Sequence, residues 1–155
     1  MQNRILTPEA IVGFFVGEGT FGVESGKDDK YQLGWRIRPY VSVNIRKDDE
    51  SILQEMTRII GCGHIYELDY GRYERYKSRG WKPQVRWKVS NIDDLSNKVV
   101  PFFKQHGIFG MKAQAFGIFS QIVEAKVKKE DRSPKTLEHI RALARSLQAI
   151  NKRGI

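Results

Sequence analysis

At 155 residues, with 40% hydrophobic and 11% aromatic side chains, the chain is long enough to bury a core and too apolar for a disordered tail. Lys and Arg number 27 against 18 acidic residues, and the resulting formal charge of +9 favours a polyanionic partner, above all nucleic acid. A single cysteine, Cys62, excludes an internal disulfide framework, His64, His106 and His139 lack zinc-site spacing, and no apolar run has membrane-spanning length or the form of a signal peptide. These features predict a soluble, cytoplasmic protein that is not secreted and uses neither a membrane nor a small-molecule cofactor.

The first predicted helix begins with Thr7 as N-cap, Pro8 in its first position and Glu9 at the positive end of the dipole. Its run from Ala10 to Gly17 is apolar nearly all round, so the helix is buried on more than one side, and it ends at Glu18-Gly19. Strands are predicted over 20–27 and 31–46. In the second, Ile37, Val41, Val43 and Ile45 point one way, and Arg36, Arg38, Tyr40, Ser42, Asn44 and Arg46 point the other. Asp48 caps a helix to Ile60, which Gly61 ends. A second strand pair covers 63–69 and 84–90, with Val85, Trp87 and Val89 inward and Gln84, Arg86 and Lys88 outward. The connection between them is aromatic and basic, with Tyr70, Arg72, Tyr73, Arg75, Tyr76, Lys77 and Arg79. Three helices follow, over 91–105, 112–128 and from Ser133-Pro134 onward. The whole is an α+β fold of order αββαββα with additional C-terminal helices, one domain over 1–155, whose helices cover one face of an antiparallel sheet and leave the other open.

That open face carries Arg36, Arg38, Arg46, Arg86 and Lys88 on the second and fourth strands, with no acid in either row. Cations so placed suit phosphates, while Arg, Asn44 and Gln84 suit base edges in a major groove that admits a β-ribbon. Binding of single-stranded RNA would need aromatics across the sheet, and only Tyr40 and Tyr66 qualify, which favours duplex DNA. Glu24 and Lys27 of the first strand and Ser42 of the second complete the predicted DNA-binding set.

Gly13 and Gly17 lie four residues apart on one face of the first helix, where each costs about 1 kcal/mol against alanine, a pattern that points to close backbone approach. Glu18 stands at the negative end of the dipole, a poor place for a carboxylate unless a cation is near. If a second copy of the helix packs on the glycine face, two-fold symmetry brings both Glu18 carboxylates to the axis, and with helix-end carbonyls they form an oxygen-rich pocket for Mg²⁺. A metal there suits phosphodiester hydrolysis.

The segment Ile11-Val12-Gly13-Phe14-Phe15-Val16-Gly17-Glu18-Gly19-Thr20 resembles the signature of the LAGLIDADG homing endonucleases. Arg46-Lys47-Asp48, Gly61-Cys62-Gly63, Pro101-Phe102-Phe103 and Ser133-Pro134 fall at spacings similar to the small single-motif members. The resemblance covers nearly the whole chain and implies a saddle-shaped DNA-binding sheet, and one copy of the signature implies a homodimer with Gly13, Phe14 and Gly17 at its interface. It further implies Mg²⁺ (or Mn²⁺) bound by Glu18 and the Gly17 carbonyl, with Lys112 as active-site lysine. The chain would cut a long, roughly palindromic site with short 3′ overhangs, in the service of intron mobility and in an organelle if encoded there. Ile45 occupies the position aligned with a water-organising glutamine of the family, leaving that role to Asn44 or to Arg46, which joins the predicted catalytic set. Without such a substitute turnover is weak, so the apolar Ile45 is the feature that favours the alternative, an RNA maturase or a non-cleaving DNA-binding regulator on the same fold.

Overall fold

The structure, a computed structural model, describes residues 5–68 and 83–153. The basic connection containing Tyr70 to Arg79 therefore lies outside the described residues. Thr7 caps α1 (Pro8–Glu18), its hydroxyl accepting from the Ala10 N–H at 3.1 Å. The helix buries Ile11, Val12 and Phe15, and Gly19 leaves it in an extended conformation while its N–H still donates to the Phe15 carbonyl.

Strands β1 (Gly19–Lys27) and β2 (Trp35–Arg46) pair antiparallel, from Gly19 opposite Val43 to Lys27 opposite Trp35. β2 thus starts at Trp35 and not at residue 31 as the alternation predicts. The intervening residues are held in a turn: the Asp28 N–H donates to the Gly34 carbonyl at 3.0 Å, the Asp28 carboxylate accepts from the Lys30 N–H at 3.0 Å, and Gly34 takes a φ of 69°. A 3-10 turn (Lys47–Asp49) leads into α2 (Glu50–Ile60), which buries Leu53, Met56 and Ile60 and ends at left-handed Gly61.

Strands β3 (His64–Leu68) and β4 (Gln84–Val89) are antiparallel neighbours, and β4 also pairs with β2, so the sheet order is β1-β2-β4-β3. Gly63, at a φ of 117°, lets the chain pass the indole of fully buried Trp87, into which any Cβ would intrude. The Trp87 Nε1 donates to the Cys62 carbonyl at 3.2 Å. Burial, reinforced by Asp94 and opposed by Lys98, pushes the Cys62 thiol up to about 11, so it is a protonated structural group.

The next helix is composite: Ile92–Asp94, a π-helical stretch Leu95–Val99 and Val100–His106 together form α3. The widened stretch ends two residues before Pro101, which has no N–H and crowds the carbonyl four residues back, that of Asn97. α4 (Met111–Val127) and α5 (Pro134–Arg153) complete the chain. Along β2 and β4 every second residue is buried, namely Ile37, Pro39, Val41, Val43 and Ile45, then Val85, Trp87 and Val89. These pack against the helices as one core. Its centre is a set of rings in which Phe15 lies 4.7 Å from Phe21 and 4.8 Å from Phe103, and Phe21 lies 5.2 Å from both Phe116 and Phe119. No helix among the described residues is long and apolar enough to cross a membrane.

Candidate nucleic-acid interface and metal centre

The face of the sheet opposite the core bears the residues the alternation predicts. Pairing sets Asn44 opposite Arg86 and Ser42 opposite Lys88, with Tyr66 and His64 of β3 beyond them. On the other side, Glu24 faces Arg38, and Tyr40 lies over Gly22 so closely that a side chain there would collide with its ring. Gln84, Arg86 and Lys88 are half-buried, whereas Arg38, Asn44, Arg46 and Tyr66 are exposed.

Several of these side chains hold one another. The Arg86 Nε donates to the Asn44 Oδ1 at 2.7 Å, its Nη1 to the Tyr66 hydroxyl at 3.3 Å, and its guanidinium stands 5.9 Å from the Tyr66 ring centre. Tyr66 is therefore part of the open face. Arg36 pairs with Asp28 at 3.7 Å, Arg46 with Asp48 at 2.8 Å, and Lys88 with Glu24 at 3.8 Å. The acids absent from the two rows are thus supplied by flanking turns and by β1. Arg38 and Arg86 have no carboxylate within ion-pair distance among the described residues. Exposed ion pairs contribute roughly 0–1 kcal/mol, so the paired cations remain available to phosphate.

Lys27 does not belong to this face. It shares the alternation of Phe21, Val23 and Ser25 and lies opposite Trp35, whose Nε1 bonds to the Ser25 hydroxyl, so it points to the helix side at the strand's end. Ile45 is 9% exposed, lies opposite Val85 and sits within the core. It cannot stand at a catalytic face. Its open-face neighbours are Asn44 and Arg46, one residue to either side across the pleat.

Glu18 is exposed at the junction of α1 and β1, between Gly17, also exposed, and Gly19, where a Cβ would strike the Phe15 ring. Its carboxylate has no cationic partner among the described residues, and no group of three or more His, Cys, Asp or Glu among those residues is arranged to hold a metal. The donor chemistry available is a carboxylate beside the terminal carbonyls of a helix, including that of Gly17. These are hard oxygen ligands at the negative end of a dipole, which suits Mg²⁺ better than a soft metal. Lys112 is half-buried in the first turn of α4, a helix packed on β1 and β2. Gly13 and Gly17 leave a notch on α1 where an added Cβ meets nothing within 4 Å, and Phe14 beside them is half-buried.

The sequence profile described as LAGLIDADG endonuclease matches residues 11–123. The chain is 25% identical over 136 residues to the probable intron-encoded endonuclease 2 of Neurospora crassa, which accounts for 87% of this chain and 28% of that protein. It is 25% identical over 107 residues to the probable intron-encoded DNA endonuclease 1 of Mycosarcoma maydis, with 68% of this chain and 33% of that protein covered. Among solved structures it matches the I-SmaMI LAGLIDADG homing endonuclease bound to cleaved DNA, with a TM-score of 0.79, 25% identity, and coverage of 93% of this chain and 45% of that one. The homing endonuclease I-TnaI shares the fold at a TM-score of 0.78 and 21% identity, with 96% of each chain covered. The chain therefore spans a quarter to a third of these curated relatives and under half of the I-SmaMI chain.

Proposed function

The chain belongs to the LAGLIDADG endonuclease family, and from that premise we propose that it is a site-specific double-stranded DNA endonuclease working as a homodimer with Mg²⁺ (or Mn²⁺). The observation that carries this reading is the junction of α1 and β1: the turn that exposes Glu18 also starts a marginal strand of the cationic open face. Duplex DNA laid on that face brings phosphates toward the carboxylate. Arg36, Arg46 and Lys88 neutralise the backbone, and Arg38, Arg86, Asn44, Gln84 and Glu24 stand where base edges pass.

Glu18 and the Gly17 carbonyl hold the cation, and the exposed Gly13–Gly17 notch receives the same helix of a second copy, so that each copy contributes one carboxylate. The cation supplies positive charge to the scissile phosphate and its leaving oxygen. Lys112 adds a positive charge from the first turn of α4, and Asn44 or Arg46 orients the attacking water. The site is long and roughly palindromic because the dimer is two-fold symmetric, and family likeness adds short 3′ overhangs. Ile45 was the feature favouring a maturase or a non-cleaving regulator, and its place in the core removes that support.

The test is incubation with a randomised duplex library followed by sequencing of the ends. Wild type with Mg²⁺ gives breaks at one site, Ca²⁺ gives binding with little cutting, and Glu18→Gln binds the same site without cutting. Cutting by Glu18→Gln at the wild-type rate would remove Glu18 from the metal site.

A further inference from the structure

Glu24 is the one carboxylate carried by the strands on the open face among the described residues. On a surface built for a polyanion, a carboxylate weakens binding wherever it meets phosphate, so its presence calls for a partner that donates hydrogen bonds. Lys88 serves that need only loosely. The ion pair is 3.8 Å long, Glu24 remains 44% exposed, and the Lys88 ammonium is also stacked over the Tyr40 ring at 4.7 Å. Around them is an open depression of about 190 Å³ lined by Glu24, Arg38, Tyr40, Lys88 and Ser90.

Within this depression Glu24 lies directly opposite Arg38 in the β1–β2 register. A directly opposed antiparallel pair has its Cα atoms about 4.5–5.5 Å apart, so the two side chains reach neighbouring points on a ligand. One is an acceptor without donors and the other a donor fork without acceptors. In the major groove a cytosine offers its N4 amino donor and its paired guanine the O6 and N7 acceptors, the complement of that pair. Guanine or thymine opposite Glu24 would set acceptor against acceptor.

We propose that Glu24 and Arg38 together read one C·G base pair in each half-site, with Glu24 accepting from cytosine N4 and Arg38 donating to the guanine. The inference rests on the DNA-binding reading above and assigns to Glu24 a role in specificity. The competing role is that of a plain counter-ion to Lys88, and the two predict different behaviour. Removing a counter-ion raises affinity for all sequences alike and steepens the salt dependence. Removing a reader changes the preference at one base pair and leaves the other positions alone.

The experiment is selection from a randomised duplex library in Ca²⁺ with wild type, Glu24→Gln and Arg38→Gln, each checked by thermal melting for retention of the fold. Wild type should enrich a site with a fixed C·G pair, and Glu24→Gln should lose about tenfold of the cytosine preference at that pair, with the flanking positions unchanged. Arg38→Gln should relax the same pair. A uniform rise in affinity of Glu24→Gln with an unaltered sequence preference overturns the proposal, as does relaxation by the two variants at separate base pairs. Failure of wild type to enrich any sequence would instead overturn the DNA-binding reading itself, and this inference with it.

Discussion

Two fully buried phenylalanines, Phe15 and Phe21, stand three residues before and three after Glu18, with their rings 4.7 Å apart. The exposed carboxylate is therefore fixed at both ends by core packing, and Gly19 is required because the Phe15 ring occupies the space of its Cβ. The same logic separates Ile45 from its neighbours. Ile45→Gln, which would install the family's amide at the aligned position, buries that amide opposite Val85. Such a group costs about 1–3 kcal/mol in the interior when unpaired. The variant should lower the urea midpoint accordingly and gain no cleavage, and an undiminished midpoint would contradict the placement of residue 45 in the core. At Asn44 the side chain stands on the open face with its Oδ1 held by Arg86, so any polar role at this point of β2 belongs there or to Arg46.

At the scale of elements, β1 is both the strand that follows Glu18 and an edge of the sheet. Two of its outer carbonyls are hydrogen-bonded to a helix. The Asn151 Nδ2 of α5 donates to the Phe21 carbonyl at 2.9 Å and the Gln148 Nε2 to the Val23 carbonyl at 3.3 Å, so a C-terminal helix caps the edge against pairing with another chain. Asn151→Ala should cost about 0.5–1.5 kcal/mol, read as a lower urea midpoint, and should increase concentration-dependent light scattering. No change in either would mean that the helix covers the edge by packing alone. None of this was legible in the sequence, because the partners are 125 and 130 residues apart and Gln and Asn on a helix have no periodic signature. What could be read was local: the Thr7-Pro8 cap, the Gly61 stop, and the two-residue alternation of β2 and β4 that separates Arg38 and Arg86 from Val41 and Trp87. Lys27 departs from the predicted face because it lies three residues beyond Glu24, so the period of two turns it to the helix side. The alternation also overran the start of β2, because the turn built by Asp28 and Gly34 was hidden among residues able to extend a strand. The acids that tether Arg36 and Arg46 come from turns, outside any strand pattern.

For the whole molecule the decisive surface is the one the chain does not fill itself. α1 buries Ile11, Val12 and Phe15 and leaves Gly13 and Gly17 exposed, with nothing within 4 Å of an added Cβ at either. Within a single chain these glycines do no packing work, and each lowers helix stability by about 1 kcal/mol relative to alanine. Their presence is explained if another backbone comes close, and the proposed homodimer would supply one. Gly13→Leu distinguishes the cases because its two effects have opposite signs. In the isolated chain leucine has room and a higher helix propensity, so thermal stability measured at low protein concentration should hold or rise. Between two helices the same side chain forces the backbones apart, so sedimentation should show a monomer where wild type shows a dimer. Cleavage should fall with it, since each copy brings only one Glu18 to the shared site. A variant that sediments as wild type would place the second carboxylate elsewhere and sink the helix-to-helix interface, whereas one that loses thermal stability at low concentration would show that the glycine face is packed within the chain.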